Sequence, residues 1–553
     1  MTAETFDYVI VGAGSAGCVL ADRLTESGQD SVLLLEYGGS DRSIWIQMPS
    51  ALNIPLNMPR YDWRYYTEPE PNLDNRRLHT PRGKVLGGSS SINGLVYVRG
   101  NPLDFERWES HGAAGWGYGD VLPYFRRAEA YDCGGDDYRG ADGKLATRRG
   151  LLNNPLHEVW LAAGREAGYP YTADMNGFQQ EGFARMDMTV AHGRRSSTAN
   201  AYLRPAMRRS NLAVRTHALA TAVQFAGRRA VGVRYQRDGT THEARVRREV
   251  IVCAGAINSP QLLKLSGVGP GRELAALGIA VVHDLPGVGE NLQDHLEFYF
   301  QVASREPVTL YTYMSTWRRA LIGARWLLTR GGLGASNHFE TGGFIRSRAG
   351  VRYPDIQFHF LPLAVSYDGS SLAHEHGFQA HVGPMRSQSP GWVRLRSAAA
   401  TDKPMIFFNY LSRAEDWVEM RACVRLTREI FAQRAFDRYR AREIQPGEQV
   451  STDEQIDAFI RAKVESAFHP SCTCKMGSAS DPMAVVDRET RVIGLEALRV
   501  VDSSIMPSIT TGNLNAPTIM LAEKAADHIR GRPLLPRARA AYYTAPAWES
   551  QQR

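Results

Sequence analysis

A chain of 553 residues with 43% hydrophobic and 22% charged side chains has room for roughly two to four packed domains, and that mix excludes a disordered or fibrous protein. Its 65 basic and 58 acidic residues are interspersed, so the net charge of +7 gives no reason to expect a nucleic-acid partner. Six cysteines are too sparse for a disulfide framework and no run of about 18 apolar residues offers a membrane span, which together point to a reducing compartment, the cytoplasm.

The first predicted elements lie in FDYVIVGAGSAGCVLADRLTESGQDSVLLLEYG (6–38), which reads as strand, tight glycine turn, amphipathic helix and strand. Acidic Glu4 and Asp7 stand where a leader peptide would carry basic residues. In GAGSAG, Gly12, Gly14 and Gly17 let the backbone approach a pyrophosphate at the helix N-terminus, and Glu36 ends the next strand where an acceptor for a ribose hydroxyl pair belongs. This βαβ unit predicts dinucleotide binding, and its place at the start of the chain favours FAD over NAD.

PRGKVLGGSSSINGLVYVRGN (81–101) offers backbone N–H groups and small side chains for a flat ring or phosphate, and taken alone reads equally as a flexible polar loop. Residues 212–256 alternate strand runs with the turn signals GRR and RDGT, and GAINSPQLLKLSGVG (255–269) reads as a loop, a helix opening at its proline and a glycine stop. From about 305 to 460 aromatic strands (PDIQFHFLP, GWVRLRS) mix with helical stretches, which predicts a second domain inserted into the first. LRVVDSSIMPSI and APTIMLAEKAADHI (498–529) read as strand, loop and helix. The basic stretch RGRPLLPRARA (530–540) reads as a solvated terminus, with weak attraction to an anionic membrane surface as the alternative.

FHPSCTCKMG (468–477) sets one histidine beside two cysteines. Zinc wants four ligands, and Cys472-x-Cys474 has no second pair; a disulfide across that spacing is sterically awkward. His469 is left as an acid–base group or an ordinary packing histidine, and its own neighbourhood does not choose between them.

The glycine turn, the GGSSSIN loop and GAINSPQLLKLSGVG together resemble the glucose–methanol–choline (GMC) oxidoreductase family from about residue 5 to 535. NLQDHLE, GASNHFETGGFIRS, EHGFQAHVG, HPSCTCKMG and TGNLNAPTIM look most like its choline dehydrogenase branch. The resemblance implies a mixed α/β fold: an FAD-binding, Rossmann-like domain of the hydroxybenzoate-hydroxylase type with an inserted antiparallel-sheet substrate domain. Residues 1–155, 205–305 and 462–535 are expected to form the first, residues 156–204 and 306–461 the second, and residues 536–553 a tail.

It also implies His469 as the acid–base group and Asn513 as its polar partner. Around FAD it adds Ser15, Gly88, Ser90 and Asn93 to the glycines and Glu36. Val96, Val223, Asp502 and Asn515 complete that set, with no metal. A choline pocket needs a carboxylate and aromatic faces; the resemblance places these at Glu297 and Phe339, with His359 as a pocket histidine. Relatives that bind FAD covalently carry a histidine where this chain has Ile92, so noncovalent FAD is expected. The implied reaction is oxidation of choline to betaine aldehyde, and from its hydrate on to glycine betaine, with a quinone-type or artificial acceptor and oxygen as the alternative. Uncharged aliphatic or polyether alcohols are the rival substrates. Peripheral attachment to the inner face of the cell membrane is the alternative to a free cytoplasmic enzyme.

Overall fold

The computed structural model describes residues 4–366 and 374–553. One sheet grows from the glycine-turn unit. Its order is Leu212–Arg215, Val32–Leu35, Glu4–Val11, Thr240–Val252, Arg229–Arg237, Leu219–Ala226; the first four strands run parallel, and Leu498–Val500 adds a parallel partner to Thr240–Val252. Val9, Ile10, Leu33, Leu34, Val250 and Ile251 are fully buried, as strands covered on both faces require. The helix Ser15–Thr25 departs from the amphipathic expectation, because all but two of its 11 residues are buried. The last helix, Asn515–Arg530, packs against it, and Arg23 forks onto Glu523 with two donors at 3.0 Å.

The helix Gly255–Leu265 also departs from expectation: it begins at the glycine, and Pro260 lies inside it. An interior proline cannot donate to the carbonyl four residues back. Here that carbonyl belongs to Ala256 and accepts the Thr473 hydroxyl at 2.6 Å, so the helix passes through the proline.

The second sheet is antiparallel, in the order Arg440–Gln445, Leu296–Ser304, Gly377–Pro384, Ile356–Leu361, Thr341–Ile345, Gly182–Arg185. Strand alternation divides it. Phe298, Phe300, Phe358, Phe360 and Phe378 join one aromatic core under Trp160 and Phe431, where the Trp160 and Phe360 rings stack at 5.1 Å. Each such ring contributes about 1.5–3 kcal/mol by burial. The intervening residues Glu297, Gln357, His359, Gln379 and His381 therefore share the opposite face. Leu296–Ser304 is a central strand here, so the boundary expected at 305 falls on the wrong side of it.

The basic stretch 531–540 is largely exposed, as expected, while the C-terminal tail is held to the body at several points. Leu535 N donates to the Tyr124 hydroxyl at 3.0 Å, Tyr543 N to Phe178 O at 2.9 Å, and Arg553 pairs with Glu429 at 2.6 Å. Two of its arginines find acids on their own chain, Arg532 at Glu26 and Arg537 at Asp120. Among the described residues no helix is long and apolar enough to cross a membrane.

Candidate active site

A cavity of about 420 Å³ is lined by Val11, Leu35 and Cys253 at the carboxyl ends of the parallel strands and by Glu297, His359 and His381 from the second sheet. Open α/β sheets bind ligands at those strand ends. Three helices begin on its wall, at Ser15, Gly255 and Asn515, and Ser15 Oγ donates to Asn515 Oδ1 at 2.8 Å. Their free N–H groups and dipoles make this end fit for a pyrophosphate. Asp502 sits at the second helix start, accepting Gly255 N at 2.9 Å and Ser259 Oγ at 2.6 Å.

Close approach explains the glycines. A Cβ on Gly17 would lie 1.9 Å from Gly12 O, and one on Gly88, whose φ is +52°, would lie 2.7 Å from Gly14 Cα. The two glycine loops therefore touch each other and leave the cavity open. Glu36 accepts Ala13 N at 3.0 Å and Gly38 N at 2.7 Å, and burial pushes its carboxyl pKa up to about 7. Gly12, Gly14, Ser15, Glu36, Gly88, Asn93, Val96, Asp502 and Asn515 all line the cavity. Gly17, Ser90 and Val223 do not. Gly17 is the strand–helix contact, Ser90 bonds inward to Gly87 O at 2.6 Å and Thr198 Oγ1 at 2.9 Å, and Val223 donates its N–H to Ser266.

At the other end the structure brings His469 and Asn513 together across 44 positions of sequence, with Asn513 Nδ2 at 3.2 Å from His469 Nε2. The Asn513 oxygen receives Gln357 Nε2 at 3.2 Å and lies 3.3 Å from His359 Nε2, which turns the amide nitrogen toward His469. On the far side His469 Nδ1 lies 3.0 Å from His295 Nδ1, and His295 Nε2 lies 3.0 Å from Met385 O. A carbonyl only accepts, so His295 carries its proton on Nε2 and accepts at Nδ1. His469 then carries its proton on Nδ1 and presents an unprotonated Nε2 to the cavity. Burial, with His295, His359 and Arg82 nearby, holds the His469 pKa well below the usual imidazole value. Its imidazole is therefore neutral at neutral pH.

The backbone at this point is pinned. Phe468 has φ +65°, a conformation disfavoured by about 1–2 kcal/mol for a residue with a Cβ. Arg82 donates to its carbonyl and Ser466 Oγ accepts its N–H at 2.8 Å, while the buried Asp294 carboxylate accepts His469 N at 2.7 Å. Cys472 and Cys474 are free, buried thiols in the core behind, and burial pushes the first up to about 12.

Glu297 lies buried on the cavity wall and accepts His381 Nδ1 at 3.0 Å. Gln379 Oε1 takes Gln301 Nε2 at 2.7 Å and Val365 N at 2.9 Å, so its nitrogen donates to His381 Nε2 at 2.7 Å. His381 Nδ1 is thereby the donor to the Glu297 carboxylate. Phe339 packs edge-on between His359 and His381, with centroids 6.0 and 5.2 Å away. Sequence reasoning passed over His295, His381, Asp294 and the aromatic rings of Trp63, Tyr65 and Phe468, which also line or support the cavity. The period-two alternation in FQAHV and in DHLEF was the signal available for the two histidines.

Matches to family models of GMC oxidoreductase cover residues 6–297 and 387–522. An oxygen-dependent choline dehydrogenase of Photobacterium profundum is 56% identical over 551 residues, spanning 99% of this chain and 97% of its own. Another from Brucella suis biovar 1 is 55% identical over 547 residues, spanning 99% and 100%. Among solved structures, pyridoxine 4-oxidase from Mesorbium loti is 30% identical with a TM-score of 0.86 over 96% of this chain and 100% of its own. A variant of formate oxidase from Aspergillus oryzae RIB40 is 26% identical with a TM-score of 0.90 over 96% and 99%. With a dinucleotide cradle at one end of the cavity, a neutral histidine at the other and this agreement along its length, the chain belongs to the GMC oxidoreductase family of FAD-dependent, alcohol-oxidising enzymes.

Proposed function

We propose that the chain oxidises choline to betaine aldehyde, with the first sheet and its glycine loops holding FAD and the second sheet holding the substrate. The observation that carries this reading is the buried Glu297 carboxylate on the cavity wall, with His381 bonded to it and Phe339 edge-on to that imidazole. A quaternary ammonium has no N–H to donate, so a negative charge and aromatic faces are what recognise it. The choline dehydrogenase relatives, described as oxygen-dependent, support both choline and molecular oxygen, and we take oxygen as the acceptor in place of the quinone-type one.

FAD, held by the glycine loops and the three helix N-termini, would supply the acceptor for the hydride leaving the carbinol carbon, with oxygen as the final oxidant. His469 Nε2 takes the hydroxyl proton, and Asn513 Nδ2 donates to the oxygen as negative charge develops on it. The hydrated aldehyde presents a hydroxyl to the same pair, which extends the reaction to glycine betaine. Ile92, buried and apolar on the cavity wall, offers no nucleophile, in keeping with noncovalent FAD.

Steady-state turnover on choline and on its uncharged isostere 3,3-dimethylbutanol tests the assignment. Choline should exceed the isostere at least tenfold in kcat/KM, about 1.4 kcal/mol, and Glu297→Gln should remove that advantage mainly through KM. Equal kcat/KM for the two in the unaltered enzyme would favour uncharged alcohols and overturn the choline reading.

A further inference from the structure

The helix Thr316–Thr329 is turned inside out. Its one buried residue is Trp326, whose Nε1 donates to Gly193 O at 2.6 Å. Trp317, Leu321, Ala324 and Leu328 recur at intervals of four, three and four and so share one face, roughly half a turn away from Trp326. That face is in water: Trp317 is 61% exposed, Leu321 59% and Leu328 86%. Such a row on a folded surface marks a contact.

Its charge says what kind. Between Glu306 and Glu340 the chain has four arginines, Arg318, Arg319, Arg325 and Arg330, and no acid. Among the described residues none of the four meets a carboxylate, whereas Arg532 and Arg537 of the tail do. Around the helix C-terminus, Arg148, Arg325 and Arg330 line a second cavity of about 460 Å³, which Glu340 also borders, and the buried Nη1 of Arg330 has no acceptor among the described residues. A second copy of this chain would set these arginines against each other across a two-fold contact. An anionic bilayer matches both the apolar row and the uncancelled charge.

We propose that Thr316–Thr329 docks the enzyme on an anionic lipid surface, with Trp317, Leu321 and Leu328 entering the acyl boundary and the arginines holding headgroup phosphates. The full-length holoenzyme is sedimented with vesicles of phosphatidylcholine, with and without phosphatidylglycerol. It should pellet only with the anionic vesicles and be released by high salt. Replacing Trp317, Leu321 and Leu328 together by serine should weaken binding at least tenfold, with choline turnover unchanged. Replacing Arg318, Arg319 and Arg325 by glutamine should weaken it roughly a hundredfold. The proposal is overturned if the unaltered enzyme stays in the supernatant, if both variants pellet as it does, or if the serine variant has a smaller particle mass by light scattering, which would give the face to a second copy.

Discussion

Because His295 Nε2 can only donate to the Met385 carbonyl, the proton of His469 is confined to Nδ1, and the nitrogen left bare toward the cavity is set by a backbone oxygen two residues removed through space. This makes His295 a positioning residue with a separable signature. His295→Ala removes the acceptor and lets His469 turn over its tautomer, so kcat should fall about tenfold or more while KM for choline holds. His295→Gln can still donate to Met385 and accept from His469, and should recover part of the loss. If the glutamine variant is no better than the alanine one, the tautomer argument fails. His469→Ala, by contrast, should cost at least about a hundredfold in kcat with either substrate.

At the scale of elements, two strand–helix arrangements bear on the site in ways their sequences conceal. The helix Gly255–Leu265 keeps its N-terminus on the cavity because Thr473 replaces the hydrogen bond that Pro260 cannot make. Thr473→Val keeps the shape and orphans the Ala256 carbonyl, which should lower stability by about 1–3 kcal/mol, read as a shift in the urea midpoint at unchanged slope. No shift would mean that water or another donor serves Ala256. In the second sheet the aromatic residues and the polar ones alternate on neighbouring strands, with His359 opposite His381 in register. One set of strands thus serves as both core and pocket wall.

For the whole molecule, the cavity is closed by segments far apart in sequence: the 12–16 turn, residues 81–96, 253–262, 467–470 and 502–518. A ligand clasped this way binds the folded chain and not the unfolded one, so FAD and stability are linked. Removing FAD should lower the Tm, and free FAD at about 100 times its Kd should restore about 2.7 kcal/mol. Acid precipitation of the holoenzyme should leave the flavin in solution; colour retained in the pellet would contradict the reading of Ile92.

The sequence by itself determined the parts governed by local chemistry. GAGSAG with Glu36 announces a dinucleotide turn because strand, glycine and acid lie within about 25 residues, and the strand alternation and the buried helix ends follow the same short-range rules. It placed Pro260 at a helix start and made Ser15–Thr25 amphipathic, because the compensating partners, Thr473 and the last helix, are hundreds of residues away. Only the tertiary structure set Asn513 against His469, His295 behind it and His381 on Glu297, since side chains on separate strands and loops acquire a common geometry, a tautomer and a shifted pKa only when burial brings them within hydrogen-bond reach.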